Sequence, residues 1–168
     1  MSKKTSLING LSLAFGIAGA VCVFISRVLS GSPLDMIHKL EGIDVLPPIW
    51  IFNLLSAAWG FLICAALGAV IKRINDGGGF GQSEMHSYRG IAFFLVTFFM
   101  GLLWYPVFFA AQAIVIALLI SLVTTVFAVC SAYDWFCAEN NSPAVIMSAY
   151  SIWSIYILII NFSVLLQI

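Results

Sequence analysis

The chain has 168 residues, of which 62% are hydrophobic and 8% are charged, with seven basic and seven acidic side chains. Water-soluble domains carry about a quarter charged residues, so this composition excludes an ordinary soluble domain and a disordered chain. The lack of a basic excess also excludes nucleic acid as a partner. The sequence therefore predicts an integral membrane protein that is surrounded by a lipid bilayer.

Five apolar runs follow one another along the chain, at about residues 7–29, 49–71, 91–109, 113–133 and 144–166. A helix needs about 20 apolar residues to cross a bilayer, and each run approaches or exceeds that length. We therefore predict an all-α, polytopic membrane protein, with residues 1–168 forming one membrane domain that is a bundle of five transmembrane helices. The third and fourth runs are too close for a structured loop, and Pro106 between them lacks an N–H, so we expect a hairpin in which the third helix ends or kinks at Pro106.

Basic residues are distributed unequally over the two sides of this bundle. One side holds Lys3, Lys4, Lys72, Arg73 and Arg89, which is five, and the other holds Arg27 and Lys39, which is two. Lys and Arg accumulate in cytoplasmic loops. The count predicts a multi-pass protein of the cell membrane, with a cytoplasmic N-terminus, an external C-terminus and a cytoplasmic loop at about residues 72–89.

Small residues recur at every fourth position in the first two runs. They are Ser12, Gly16 and Ala20 in the first run, and Gly60, Cys64 and Gly68 in the second. Such spacing lets two helix backbones approach closely in a membrane. The alternative is that small residues are simply frequent in membrane helices.

Residue types that carry metal or acid–base chemistry are scarce. The four cysteines form no C-x-x-C pair, the two histidines have no zinc-ligand spacing, and no ionisable residue lies in the middle of a span. We therefore expect no metal and no required cofactor, and an ion-coupled transporter is disfavoured. Asn161, deep in the last run, is expected to be buried against another helix, and Trp135 is expected to anchor the protein at the cytoplasmic interface.

Aromatic and weakly polar residues fall on one face of three predicted helices. These candidate ligand-binding residues are Trp50, Asn53 and Ala57 on the second helix, Gly101, Trp104 and Phe108 on the third, and Tyr150, Trp153, Ile157 and Asn161 on the fifth. A shared cavity of this composition suits a flat, mostly apolar ligand that is held by stacking and a few hydrogen bonds. The alternative is that these aromatic residues form interfacial belts or pack the bundle without any ligand.

Three short motifs resemble those of the TspO/MBR family, the translocator or tryptophan-rich sensory proteins. Residues 47–52, Pro-Pro-Ile-Trp-Ile-Phe, resemble the P-P-x-W-x-F that opens the family's second helix. Residues 104–109, Trp-Tyr-Pro-Val-Phe-Phe, resemble its W-x-P-x-F-F at the end of the third helix. Tyr150, Trp153 and Asn161 resemble its fifth-helix pattern. The motifs occur in the family's order and cover roughly residues 45–165.

This resemblance implies a five-helix bundle, often a homodimer, with a cavity that binds porphyrins, haem-like tetrapyrroles or sterols. Some bacterial members are proposed to degrade protoporphyrin in light through cavity tryptophans. Here Ser56 stands where the family has a second tryptophan, and Gly101 and Leu102 stand where it has an asparagine. The sequence therefore predicts a member that binds a tetrapyrrole or another planar hydrophobic molecule, with a sensory, regulatory or transport role and no claim of catalysis. A ligandless structural or partner-binding bundle, or a small-solute transporter, are the alternatives.

Overall fold

The computed structural model describes residues 9–31, 49–77 and 81–166 of the chain. In these ranges the chain forms the α-helices α1 (Gly10–Leu29), α2 (Ile49–Asn75), α3 (Gln82–Tyr105), α4 (Ile114–Cys137) and α5 (Asn141–Leu165), with a π-helical turn at Pro106–Ala110. Five helices of the described part are long and apolar enough to span a bilayer, with mean hydropathy values of 1.8 to 2.6 in their most apolar segments. The protein is therefore an all-α, multi-pass membrane protein with the predicted number of spans.

The helices extend beyond the apolar runs on the side of the loop between α2 and α3, called here the glycine-rich loop because residues 77–81 contain four glycines. α3 begins at Gln82, nine residues before the predicted start at 91, and α2 continues to Asn75 instead of ending at 71. An apolar run measures only the lipid-immersed length, whereas a helix continues wherever its backbone hydrogen bonds remain favourable. The early part of α3 packs on the end of α4, where Ser83 Oγ donates to the carbonyl of Ala138 at 3.2 Å. The first loop, predicted at residues 30–46, lies mostly outside the described residues.

Glycines bring α1 and α2 into backbone contact. A β-carbon on Gly68 would lie 2.7 Å from the Cα of Ser12, and one on Gly19 would collide with the carbonyl oxygen of Gly60 and with Cys64. Close approach of two helices in lipid gains dispersion contacts that larger residues would prevent. The two predicted small-residue faces do meet, although Gly19, and not Ala20, stands at the closest crossing.

Pro106 ends the regular part of α3, as the sequence predicts. Because proline has no N–H, the carbonyl of Leu102 loses the partner that a helix would supply. Ser26 of α1 replaces that partner, since its Oγ donates to the Leu102 carbonyl at 2.7 Å. The break in α3 therefore becomes a contact between α3 and α1, and the π-helical turn leads directly into the hairpin with α4.

A buried carboxylate joins α3 to α4 at the end of the bundle that bears the glycine-rich loop. Asp134 is 1% exposed, and its oxygens accept hydrogen bonds from Arg89 Nε at 2.7 Å and contact His86 Nδ1 at 2.9 Å. Beside it, Arg73 Nη1 donates to the side-chain oxygen of Asn140 at 2.8 Å. These contacts fix the ends of α2, α3 and α4 relative to one another.

Trp135 lies inside this end of the bundle and not at its surface. Its side chain is 0% exposed and stacks on Phe94 with ring centroids 5.9 Å apart. Gly90 leaves no room for a β-carbon beside the indole. The expectation that Trp135 anchors the protein at the interface is therefore wrong. The neighbouring Tyr133, which is 63% exposed, occupies the outward position.

Candidate functional site

A cavity of about 600 Å³, including its opening, lies between α2, α3, α4 and α5. Its wall is formed by aromatic, aliphatic and hydroxyl side chains, and no charged residue lines it among those the structure describes. The lining residues are Val23, Phe52, Ser56, Trp59, Gly60, Ile63, Phe98, Gly101, Leu102, Trp104, Tyr105, Ser121, Thr124, Tyr150, Trp153, Ser154 and Ile157. This composition is typical of sites that bind small apolar molecules.

Three indoles from three helices line this cavity, namely Trp59 of α2, Trp104 of α3 and Trp153 of α5. Phe52 lies between two of them, with its ring centroid 6.1 Å from that of Trp104 and 5.7 Å from that of Trp153. The third, Trp59, meets Tyr150 edge-on at 5.8 Å. These separations are typical of favourable aromatic pairs, so the wall contains two groups of paired rings, one around Phe52 and one at Trp59 and Tyr150.

Five of the ten predicted ligand-binding residues line the cavity: Gly101, Trp104, Tyr150, Trp153 and Ile157. The other five do not: Trp50, Asn53, Ala57, Phe108 and Asn161. The structure therefore brings together the predicted residues of α3 and α5, apart from Phe108 in the π-helical turn and Asn161 near the end of α5. Ligand binding by any of the ten stays a prediction.

Residues of α2 that were predicted to face the cavity lie on other sides of the helix. Trp50 is 66% exposed, and Asn53 is turned toward α1, where its Oδ1 accepts a hydrogen bond from Arg27 Nε at 2.6 Å. The cavity face of α2 carries Phe52, Ser56 and Trp59 instead. The displacement follows from the close packing of α1 on α2, which occupies the predicted face.

Phe108 and Asn161 do not line the cavity, but both contact the indole of Trp104. Phe108 stacks on Trp104 with centroids 4.8 Å apart and planes inclined by 19°. Asn161, which is 0% exposed, accepts a hydrogen bond from Trp104 Nε1 at 3.2 Å and donates to the carbonyl of Ile157 at 2.7 Å. The expected burial of Asn161 against another helix is confirmed, and the contact orients an indole of the cavity wall.

Arg27 is a cation near the end of α1, one turn after the cavity residue Val23. Its guanidinium carbon lies 4.3 Å from the centroid of the Phe109 ring, a cation–π geometry. Its Nε bonds to Asn53, while its Nη1 is buried without a hydrogen-bond partner in the described part of the chain. The positive charge of Arg27 therefore lies at this end of the bundle, and no carboxylate of the described residues pairs with it.

Several lining residues were not among the predicted ones, including Trp59 of α2 and the hydroxyl groups of α4. The family pattern has tryptophan at position 56, where this chain has serine, and Trp59 lies three residues later. Both residues line the cavity, so the family's tryptophan position indicates the cavity face of α2. Ser121 and Thr124 lie in an unbroken apolar run and carry no distinguishing spacing.

Five membrane-spanning helices around an aromatic cavity, with no charged lining residue in the described part of the chain, define a polytopic helical membrane protein with an internal apolar site. The chain belongs to the TspO/MBR family, whose family model matches residues 11–166, nearly the whole chain. The resemblance inferred from the three short motifs is therefore confirmed. No curated protein matches the chain in sequence.

Proposed function

We propose that the protein binds a tetrapyrrole, or another planar hydrophobic molecule such as a sterol, in the cavity between α2 and α5. The observation that carries this proposal is the convergence of Trp59, Trp104 and Trp153 on one cavity. Indoles offer large flat surfaces, and a ligand that stacks on them gains about 1 kcal/mol per pair beyond the burial of its area. Membership of the TspO/MBR family supports the same ligand class.

The biological role that fits such a site is sensing, regulation or transport of the bound molecule. A cavity without charged lining residues in the described part of the chain gives no proton relay and no ion pathway, which argues against ion-coupled solute transport. A ligandless structural bundle would fill this space with side chains. The opening lined by three indoles favours a ligand over that alternative.

Replacing Trp153 by alanine is expected to weaken binding of protoporphyrin about tenfold or more. The change removes an indole from the cavity wall, together with its tilted contact with the Phe52 ring at 5.7 Å, so the ligand loses both buried area and a ring partner. The measurement is quenching of intrinsic tryptophan fluorescence as protoporphyrin is added to the purified protein in detergent micelles.

Trp50→Ala provides the matched control for this titration. Trp50 is also a tryptophan on a membrane helix, but it is 66% exposed and lies outside the cavity wall, so its removal should leave the affinity unchanged. Wild-type protein without saturable quenching at micromolar porphyrin contradicts the proposed function. Equal loss of affinity in both variants contradicts the assignment of the cavity.

We also propose that the protein lies in the cell membrane with the glycine-rich loop in the cytoplasm. The end of the bundle that holds Lys72, Arg73 and Arg89 is the more basic one, and the exposed native Cys137 marks the same end. A membrane-impermeant maleimide added to intact cells should leave Cys137 unlabelled and should label a cysteine introduced by Ser32→Cys. The reverse pattern would invert the orientation.

A further inference from the structure

Four small hydroxyl side chains interrupt the apolar wall of the cavity. Three of them donate to backbone carbonyls of their own helices: Ser56 to Phe52 at 2.7 Å, Ser121 to Leu118 at 2.8 Å and Thr124 to Ile120 at 2.8 Å. The fourth, Ser154, is 3% exposed, and its Oγ has no hydrogen-bond partner within the described residues. The unsatisfied group therefore belongs to the wall of the proposed ligand site.

Neighbouring serines of α5 show what Ser154 would ordinarily do. A serine inside a helix usually donates to the carbonyl four residues earlier. Ser148 does so to Ala144 at 2.9 Å, and Ser151 does so to Met147 at 2.8 Å. Ser154 does not form this bond. The Tyr150 hydroxyl, one turn earlier on the same cavity wall, is its polar neighbour, but the two groups form no hydrogen bond of normal geometry.

A buried hydroxyl without a partner is unfavourable, and an added oxygen atom at hydrogen-bond distance would satisfy it. We infer that the ligand of this cavity carries an uncharged oxygen, a carbonyl or hydroxyl group, that accepts a hydrogen bond from Ser154. The inference rests on the proposed function, since it requires that the cavity bind a small molecule. Charged groups do not suit the same position, because the described wall offers no counter-charge and burial of an unpaired ion is costly.

The aromatic side chains of the cavity wall indicate the shape of such a ligand. Trp153, the residue before Ser154, and Trp59 on α2 supply flat apolar surfaces within the same cavity. A flat, mostly apolar body would stack against these indoles while one uncharged oxygen meets Ser154. The site would thus select among flat apolar molecules by one polar group, because a ligand without the oxygen leaves Oγ unsatisfied.

Fluorenone and fluorene test this inference, since they share a flat tricyclic body and differ by one carbonyl oxygen. Equilibrium dialysis of the purified protein in detergent micelles, with protein-free micelles as the reference, gives the affinity for each. Wild-type protein should bind fluorenone about five- to tenfold more tightly than fluorene, as one net hydrogen bond allows. Ser154→Ala should bind both equally, while its affinity for fluorene stays the same.

Ser151→Ala is the matched control, because it removes a hydroxyl from the same helix that already bonds to Met147 and does not line the cavity. It should keep the wild-type preference. Saturable binding of both probes with equal affinity by wild-type protein, or a preference that survives Ser154→Ala, overturns the inference and leaves the proposed function standing. Binding of neither probe and of no porphyrin overturns both. Ser154→Ala removes one unpartnered atom and adds none, so folding is expected to be preserved.

Discussion

Trp135→Ala is expected to lower the free energy of unfolding by about 3–5 kcal/mol, the cost typical of removing a buried aromatic residue. The indole is 0% exposed, stacks on Phe94 and fills the space left by Gly90. The variant therefore removes the indole between Gly90 of α3 and the body of α4 and leaves a cavity there. Unfolding in mixed micelles of mild detergent and dodecyl sulfate, followed by circular dichroism, measures the change.

Trp50→Ala is the control for size and chemistry. Trp50 is 66% exposed, so the same truncation at this position should change the unfolding free energy by no more than about 0.5 kcal/mol. A change in unfolding free energy for Trp135→Ala as small as that for Trp50→Ala would mean that the packing around Trp135 does not stabilise the bundle.

The number and order of the helices follow from the sequence because a bilayer imposes a length on every span. Each apolar run had to form a helix, since lipid offers no partner to an unpaired backbone group. The break at Pro106 was equally predictable, because a missing N–H ends the helical hydrogen bonding whatever surrounds it. The structure adds the new partner of the Leu102 carbonyl, which is Ser26 of α1. No local sequence pattern predicts this contact.

The face that each helix turns to the cavity was harder to predict. In a soluble helix, apolar residues mark the buried face, but in a membrane both lipid and protein interior favour them. On α5 the polar residues Tyr150 and Asn161 still indicated the inner face. On α2 the aromatic residues Trp50 and Trp59 lie on different sides, and only the close packing of α1 determines which of them faces the cavity.

The contacts of Asp134 could not be predicted for a different reason. Arg89, which bonds to it, is 45 positions away in the sequence and lies in a segment predicted as a loop. Only the nine-residue extension of α3 brings the guanidinium beside α4. The same extension explains why Trp135 is buried, because the early part of α3 covers the position that was predicted to face the interface.

This pairing leads to a second large effect, in which Arg89→Met is expected to lower the unfolding free energy by clearly more than the control variant Arg73→Met. The substitution leaves the carboxylate of Asp134, 1% exposed, without the guanidinium that donates hydrogen bonds to it and with only His86 Nδ1 in contact among the described side chains, and an uncompensated buried charge is strongly destabilising. Because the Arg89 side chain is itself 46% exposed, solvent screens part of its charge, so the loss should be smaller than for a fully buried ion pair. The same micelle unfolding experiment measures it.

A second substitution, Asp134→Asn, distinguishes loss of charge compensation from loss of packing. In the Arg89→Met background it removes the unpaired charge, so the double variant should be more stable than Arg89→Met alone, and the two effects should not add. Arg73→Met is the matched control, since Arg73 donates to the neutral amide oxygen of Asn140 and its ion pair with Glu139, at 3.7 Å, involves a carboxylate that is 79% exposed. Its loss should cost about 1 kcal/mol. Equal costs for the two arginine variants, with no recovery in the double variant, would show that Asp134 does not depend on Arg89 for its burial.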